Sequence, residues 1–487
     1  MKNSLRSIVF SFTFCAISLV SFSQFTLTVT NGYGGGTYNA GDTVNIWSAA
    51  IPQTSSFDRW TGDISVLESA DEWHTTLIMP AQNITVAANF KSIGTINIHY
   101  EKIMGRDTLK NVYSYFPQNF KGVIFCFHGT GGAASNWVSL LEYRQFLNDA
   151  ISDTFAFIIT EAEEITKQTD FDSDGKLRWA YVPYDSATNV DFANIRILID
   201  TFRLRGITNS ATKYYAVGMS NGGAFSPAIA TLYNWHAAVS YCAQQSQLLM
   251  NTTNIPIQWC MAKYDNHPNV GSAGNAAALV NSQTLAGRGI CTNYFSHDHS
   301  PVYPERFMRS GTISQTQANN FFTELQTNHL LDVNNYLLYA SDTIAARIAA
   351  TPSAYPYFLS LNGLQRIFVG TQVDAMYAAH QFYSDYNKKT LRFFDSLCDT
   401  VSTPSSVEEV RNQNLKIRLT PNPTGNDISV EVDEELIGEE ISVLDISGRK
   451  FLNAIALNQK TTLTTQNLAS GIYFLEIGNS VKKFVKQ

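Results

Sequence analysis

The sequence predicts an α/β domain at its centre, residues 93–398, with a small all-β region on either side, 24–92 and 415–487. Three observations predict it. In the middle of the chain, continuous apolar runs of strand length alternate with helical patterns, as in a mostly parallel sheet buried on both faces. The flanking stretches alternate polar and apolar residues between Gly- and Asn-bearing turns, as in half-buried strands. The 487 residues also exceed the span usual for one domain, roughly 100–200.

Composition narrows the function classes. Charged residues are 15% and aromatics 12%, too few and too many for a disordered chain. The net charge of −7 gives no basic footprint for a nucleic acid. Beyond the N-terminus no apolar run reaches the length of about 18 residues that a spanning helix needs, so no transmembrane segment is expected in the mature chain.

Residues 1–23 read as a secretory signal peptide. Lys2 and Arg6 precede an apolar, hydroxyl-rich stretch from Ile8 to Val20, and Ser21 and Ser23 stand at −3 and −1 before Gln24. Five cysteines follow: Cys126, Cys242, Cys260, Cys291 and Cys398. The first three lie in apolar strand-like runs, where cysteine acts as a small buried hydrophobe. Cys291 and Cys398 lie in polar surroundings, and either a disulfide or two free thiols fits them. There is no Cys-x-x-Cys pair to hold a zinc ion.

In residues 24–92 the runs FTLTVT, DTVNIWS, TTLIMP and ITVAANF read as short strands. Asn31-Gly32, Gly34-Gly35-Gly36 and Thr61-Gly62-Asp63 mark turns between them. The succession Val29-Thr30-Asn31-Gly32, Tyr38-Asn39-Ala40-Gly41, Phe57 to Asp63, Met79-Pro80 and Asn83 to Val86 resembles the bacterial repeat module related to the internalin B repeat. The resemblance implies an accessory β-module without chemistry of its own. Trp47, Trp60 and Trp73 read either as its core or as platforms for sugars.

At the other end, residues 399–414 are polar and bear Ser, Thr and Pro, as a linker does. From 415 to 487 short alternating strands predict a β-sandwich. The Pro421-Asn422-Pro423 start, the Asp445-x-x-Gly448-Arg449 turn, the Gly471-Ile472-Tyr473-Phe474 strand and the basic end Lys482-Lys483 resemble the type IX secretion C-terminal sorting domain of the Bacteroidetes. That resemblance implies the type IX secretion machinery as a partner, and a protein released from the cell or held on its outer surface.

In the central region the expected strands are 122–127, 155–160, 214–218, 237–242, 255–261 and 365–370, and the expected helices include 192–204 and 223–232. Gly218-Met219-Ser220-Asn221-Gly222 directly follows the strand YYAV and directly precedes a helical run. That is the strand–turn–helix context of a nucleophile elbow, with Gly218 and Gly222 leaving room for a strained serine. Upstream, the strand GVIFCF ends in His128-Gly129-Thr130-Gly131-Gly132. Acyl transfer requires backbone N–H groups aimed at an oxyanion, and the amides of Thr130 and Asn221 are the candidate donors. His128 reads as a loop-stabilising residue.

A serine nucleophile needs a base, and the base an orienting carboxylate. Asp265 follows the strand IPIQWCM. His380 follows the run QRIFVG and precedes a final helix. Ser220, His380 and Asp265 are therefore the expected triad. His267, His297 and His299 are the rival bases; Asp332 and Asp374 are the rival acids. The 115 residues between Asp265 and His380 exceed one strand–helix connection, so an inserted lid over about 270–360, between the last two core strands, is expected.

HGTGG, the NVDFANIRILID helix and the GMSNGG elbow together resemble the secreted α/β-hydrolases of the polyhydroxybutyrate depolymerase and feruloyl/acetylxylan esterase group. This implies a serine hydrolase of carboxylic esters, on plant polysaccharide or a polyester, with no cofactor required. A serine peptidase of the same fold and a catalytically silent surface-binding protein are the competing readings. Lastly, Asp170-Phe171-Asp172-Ser173-Asp174-Gly175 matches the opening of a calcium loop, but Tyr181 stands where an EF-hand has its bidentate Glu. Asp170, Asp172 and Asp174 read either as a looser structural calcium site or as a solvated turn.

Overall fold

The computed structural model describes residues 24–49, 51, 54–398, 417–433, 436–445, 450–477 and 480–487. The signal-peptide reading of 1–23, the linker reading of 399–414 and residues 446–449 of the C-terminal turn lie outside the described residues. The chain divides into two compact units, 1–398 and 399–487.

The central sheet of the first unit has eight strands: β1 (His99–Met104), β2 (Leu109–Tyr115), β3 (Val123–Phe127), β4 (Ala156–Ile159), β5 (Tyr214–Met219), β6 (Ala237–Tyr241), β7 (Ile257–Ala262) and β8 (Thr292–His297). Their spatial order is 1-2-4-3-5-6-7-8. Strands β3 to β8 run parallel, and β1 and β2 form an antiparallel edge. All residues of β3, β4, β5, β6 and β7 are buried, which is why these strands read as unbroken apolar runs. Helices cover the sheet, among them α1 (Leu141–Ser152), α2 (Val190–Leu204), α3 (Asn221–Leu232) and α4 (Gly271–Gly287).

One expected strand is a helix. Residues 365–370 lie within α6 (Gly363–Tyr377). Its start is a capping box: the Asn362 side chain accepts from the Gln365 N–H, and the Gln365 side chain accepts from the Asn362 N–H. Val369, Gln372, Val373, Ala375 and Met376 form its buried face, a helical period. The last strand is instead β8, a half-buried edge strand whose alternating TNYFSH gives no apolar run. The insertion therefore follows the last strand, between His297 and His380, and does not separate the last two strands. The first part of the 270–360 segment, α4 and β8, belongs to the core architecture. Within the insertion, residues 315–327 form α5 (Gln315–Thr327).

The N-terminal region forms two sheets, one ordered 36–39, 24–30, 84–92, 55–62 and one ordered 32–33, 43–48, 74–78. Its core is not closed on itself. Leu27, Ile46, Phe57, Trp60, Leu77 and Val86 form one continuous cluster with Tyr303, Phe307, Phe321, Leu325 and Val373 of the insertion. Trp60 is wholly buried and donates its indole N–H to the Glu72 carbonyl. Trp47 stacks on Tyr303 of the insertion, ring centres 3.8 Å apart. Trp73 packs beneath the guanidinium groups of Arg306 and Arg309, a contact worth about 0.5–2 kcal/mol each. These aromatics are core and seam residues.

Cys291, just before β8, is bonded to Cys398, just past the last helix of this unit, Asn387–Ser396. Cys126, Cys242 and Cys260 are free and buried. The second unit is a two-sheet sandwich of strands 418–420, 427–431 and 460–464 against 450–455, 440–445, 471–477 and 480–486. Ile428, Val430, Val443, Leu475 and Phe484 fill its interior. No described helix is long and apolar enough to cross a membrane.

Candidate active site

Ser220 sits between β5 and α3 with φ 55° and ψ −122°, a strained conformation for a residue with a side chain. The elbow demands glycine on both sides. A Cβ on Gly218 would come within 2.2 Å of the Gly222 carbonyl oxygen, and one on Gly222 within 2.4 Å of the carbonyls of Phe127 and His128. The Ser220 N–H donates to the Tyr241 carbonyl of β6, which fixes the turn to the neighbouring strand.

The structure brings the three expected residues together. His380 Nε2 lies 2.9 Å from Ser220 Oγ, and His380 Nδ1 lies 2.7 Å from Asp265 Oδ2. Asp265 follows β7, and its other oxygen accepts the His267 N–H at 2.9 Å. His380 stands two residues past the left-handed C-cap Ala378 of α6. The acid and base loops are tied by backbone: the Tyr264 N–H donates to the Ala378 carbonyl, and the Lys263 N–H to the His297 carbonyl. The fully buried Asp265 side chain has the imidazole as its counterpart, so the carboxylate fixes the orientation of the ring.

The candidate oxyanion donors, Thr130 and Asn221, stand on two neighbouring turns. Gly131 N–H donates to the Leu177 carbonyl and Gly132 N–H to Gly129, whereas among the described residues no acceptor meets the Thr130 N–H. Asn221 opens α3, where first-turn amides have no intrahelical partner. His128 braces this turn: its Nδ1–H donates to the Gly129 carbonyl and its Nε2 accepts the Ala162 N–H. Burial lowers its pKa to about 4, so the ring stays neutral and both bonds persist. His128 thus holds the loop and lies outside the proton relay.

Sequence reasoning missed Trp179. Its N–H donates to Asn221 Oδ1 at 2.7 Å, its carbonyl accepts the Asn221 side-chain amide at 3.1 Å, and its indole N–H donates to the His128 carbonyl at 3.0 Å. One buried residue therefore ties the turn after β3 to the start of α3. Trp179 stands beside Leu177, Tyr181 and Tyr184 in the loop before α2, and no local pattern marks it out from them. Cys242 was also missed as a neighbour. Its Sγ donates to the Gln381 carbonyl at 3.3 Å, and burial pushes its thiol pKa well up, so it stays protonated and serves as a donor.

The rival residues are placed elsewhere. His297 is buried against Tyr383 and bonds the Ala375 carbonyl. His299 stacks on Tyr264, and Asp298 pairs with Lys263. Asp332 caps the 332–336 turn, and Asp374 accepts the Ser341 N–H. His267 does reach the site, parallel to His380.

In the acidic loop, carboxylate oxygens of Glu164, Asp170 and Asp172 lie within 4.8 Å of one another. The loop already has internal partners. Asp170 accepts the N–H groups of Asp174 and Gly175, and the Arg178 guanidinium pairs with Asp172 and Asp174. A divalent cation bound by Asp170, Asp172 and Asp174 would have to displace that guanidinium.

The strand order, with serine after β5, aspartate after β7 and histidine after β8, settles the central fold. The central domain has the α/β-hydrolase fold. Residues 25–94 match the divergent InlB B-repeat domain, and residues 418–487 match the secretion system C-terminal sorting domain. The chain thus carries a signal for secretion or cell-surface export. No curated protein matches it. Solved structures similar to this α/β-hydrolase include a dienelactone hydrolase from Anabaena variabilis, 12% identical over 41% of this chain and 84% of that one, TM-score 0.31. A poly(aspartic acid) hydrolase-1 from Sphingomonas is 16% identical over 41% and 91%, TM-score 0.32. A ferulic acid esterase is 8% identical over 41% and 89%, TM-score 0.32.

Proposed function

We propose that this α/β-hydrolase is an exported serine esterase that cleaves carboxylic esters, on plant polysaccharide or in a polyester. The observation that carries the reading is the unbroken chain from Asp265 through His380 to Ser220 Oγ. In this reading Ser220 Oγ attacks the ester carbonyl while His380 Nε2 takes its proton. Asp265 holds the imidazole by Nδ1–H and stabilises the imidazolium that forms. The negative charge on the carbonyl oxygen meets the amides of Thr130 and Asn221, at the positive end of α3. The proton on His380 then passes to the leaving alcohol. Water, deprotonated by the same ring, releases the acyl group and restores Ser220. In this reading the steps draw on side chains and backbone of this chain and on water, and they call for no cofactor.

Export is the second half of the reading. Cleavage after Ser23 and recognition of residues 415–487 by the type IX secretion machinery would deliver the enzyme outside the cell, where polymeric esters are met. The experiment is turnover of p-nitrophenyl acetate, butyrate and octanoate and of methyl ferulate by the exported chain and its Ser220→Ala variant. Turnover by the parent that vanishes in the variant is expected. A folded parent that cleaves peptidyl anilides and no ester would overturn the esterase reading in favour of a peptidase.

A further inference from the structure

The repeat module joins the insertion in one core, and the seam between them leads to the histidine. Trp73 of the module lies under two guanidiniums, 5.1 Å from Arg306 and 4.1 Å from Arg309, ring centre to carbon. Both arginines are nearly wholly buried. Arg306 donates to Gln372 of α6 and, through two nitrogens, to Asp385 at 3.0 and 3.2 Å. Arg309 donates to Glu142 of α1 at 3.0 Å and to Ser384 Oγ at 2.8 Å. Glu142 in turn accepts the Ser384 N–H, the Ser384 hydroxyl and the Gln372 amide. Ser384 and Asp385 are four and five residues past His380.

We propose that the repeat module is a positioning element of the catalytic centre: Trp73 fixes Arg306 and Arg309, and these hold the 380–386 segment so that the His380 ring meets Ser220. The inference rests on the esterase reading above for its kinetic readout. Its physical basis is the cost of a buried charge. Each guanidinium keeps its place only while its full set of partners is in reach, so a ring lost from beneath the pair loosens every bond above it. The Glu142 carboxylate, on a core helix, supplies the fixed end of the network. The module supplies the other end. Trp73, Arg306 and Arg309 act through His380 and touch no substrate.

The test uses the exported chain and the variants Trp73→Ala and Trp73→Phe. It measures kcat and KM on p-nitrophenyl acetate and the rate at which a fluorophosphonate labels Ser220. For Trp73→Ala, kcat and labelling are expected to fall by about ten- to a hundredfold, the cost of a misplaced base, with KM within about twofold. Trp73→Phe keeps a ring under the guanidiniums and should recover most of the loss. A folded Trp73→Ala protein that labels and turns over at the parent rate would overturn the proposal. If that variant does not fold, hydrogen exchange of the parent in rising urea decides. Peptides from 24–92 and from 376–386 should lose protection together, and protection of 376–386 that outlasts the module sinks the idea. A parent that neither labels nor cleaves esters fails the esterase reading alone, because the exchange experiment still reads the coupling.

Discussion

The imidazole of His267 lies nearly parallel to that of His380, with ring centres 4.4 Å apart and planes tilted by 20°. Burial lowers the His267 pKa, and the neighbouring imidazole lowers it further, so His267 is kept neutral beside a ring that becomes positive in the proposed acylation. A fixed cation there would oppose that charge. His267→Arg is expected to lower kcat at least about tenfold, the equivalent of one pKa unit, and to move the acid limb of the kcat profile to lower pH. His267→Phe keeps the stack and adds no charge, so kcat should stay within about twofold. A pH–rate profile of both variants checks this.

Asn221 is held by Trp179 through two hydrogen bonds. Its backbone amide is the proposed oxyanion donor, and its side chain sets where that amide points. Asn221→Ala keeps the amide but frees it. Loss of one oxyanion donor costs about 10²–10³ in kcat, so misaiming it should cost somewhat less, about tenfold to a hundredfold, with KM little changed. Steady-state kinetics on a soluble ester reads the split.

Glu72 is buried at the seam between the module and the hydrolase, and burial raises its pKa to about 7. A carboxyl raised from 4.5 to about 7 favours the folded state in its protonated form. Its contribution is therefore fully present below its unfolded pKa and is lost as pH rises through 7. The loss is at most roughly 3 kcal/mol by pH 8. Glu72→Gln should raise Tm at pH 8 and leave it nearly unchanged at pH 4. Thermal melts across that range test the sign.

Arg178 already pairs with Asp172 and Asp174. Melting the protein in EGTA and in excess calcium should accordingly give the same Tm. A rise of several degrees with calcium would show that the ion displaces the guanidinium and that the loop is a cation site.

The disulfide closes a loop spanning 107 residues that contains the insertion and His380. A loop of that length contributes up to about 4–5 kcal/mol through the unfolded chain. Reduction with a phosphine should lower Tm markedly, and Cys398→Ser should lower it without a reductant.

What the sequence made legible follows the physics of burial. Strands buried on both faces wrote themselves as apolar runs, and the glycines around Ser220 marked a backbone that admits no side chain. The half-buried β8 carries no such run, and it was passed over. Residues 365–370 are apolar enough for a strand, yet the Asn362 and Gln365 capping pair and the spacing of Val369, Val373 and Met376 belong to a helix. His380 was legible because it stands just before the closing helix. Trp179 and the network around Glu142 were not, since their partners lie far off in the chain and no local pattern records a tertiary hydrogen bond.

The three free thiols are sealed within the central sheet and its margin, while the two bonded cysteines stand at its rim. Burial thereby acts as a chaperone of oxidation. Once the sheet has closed, Cys126, Cys242 and Cys260 are beyond the reach of any oxidant outside the cell. Among the described cysteines only Cys291 and Cys398 are bonded, so in the folded state burial withdraws the other three thiols from mispairing.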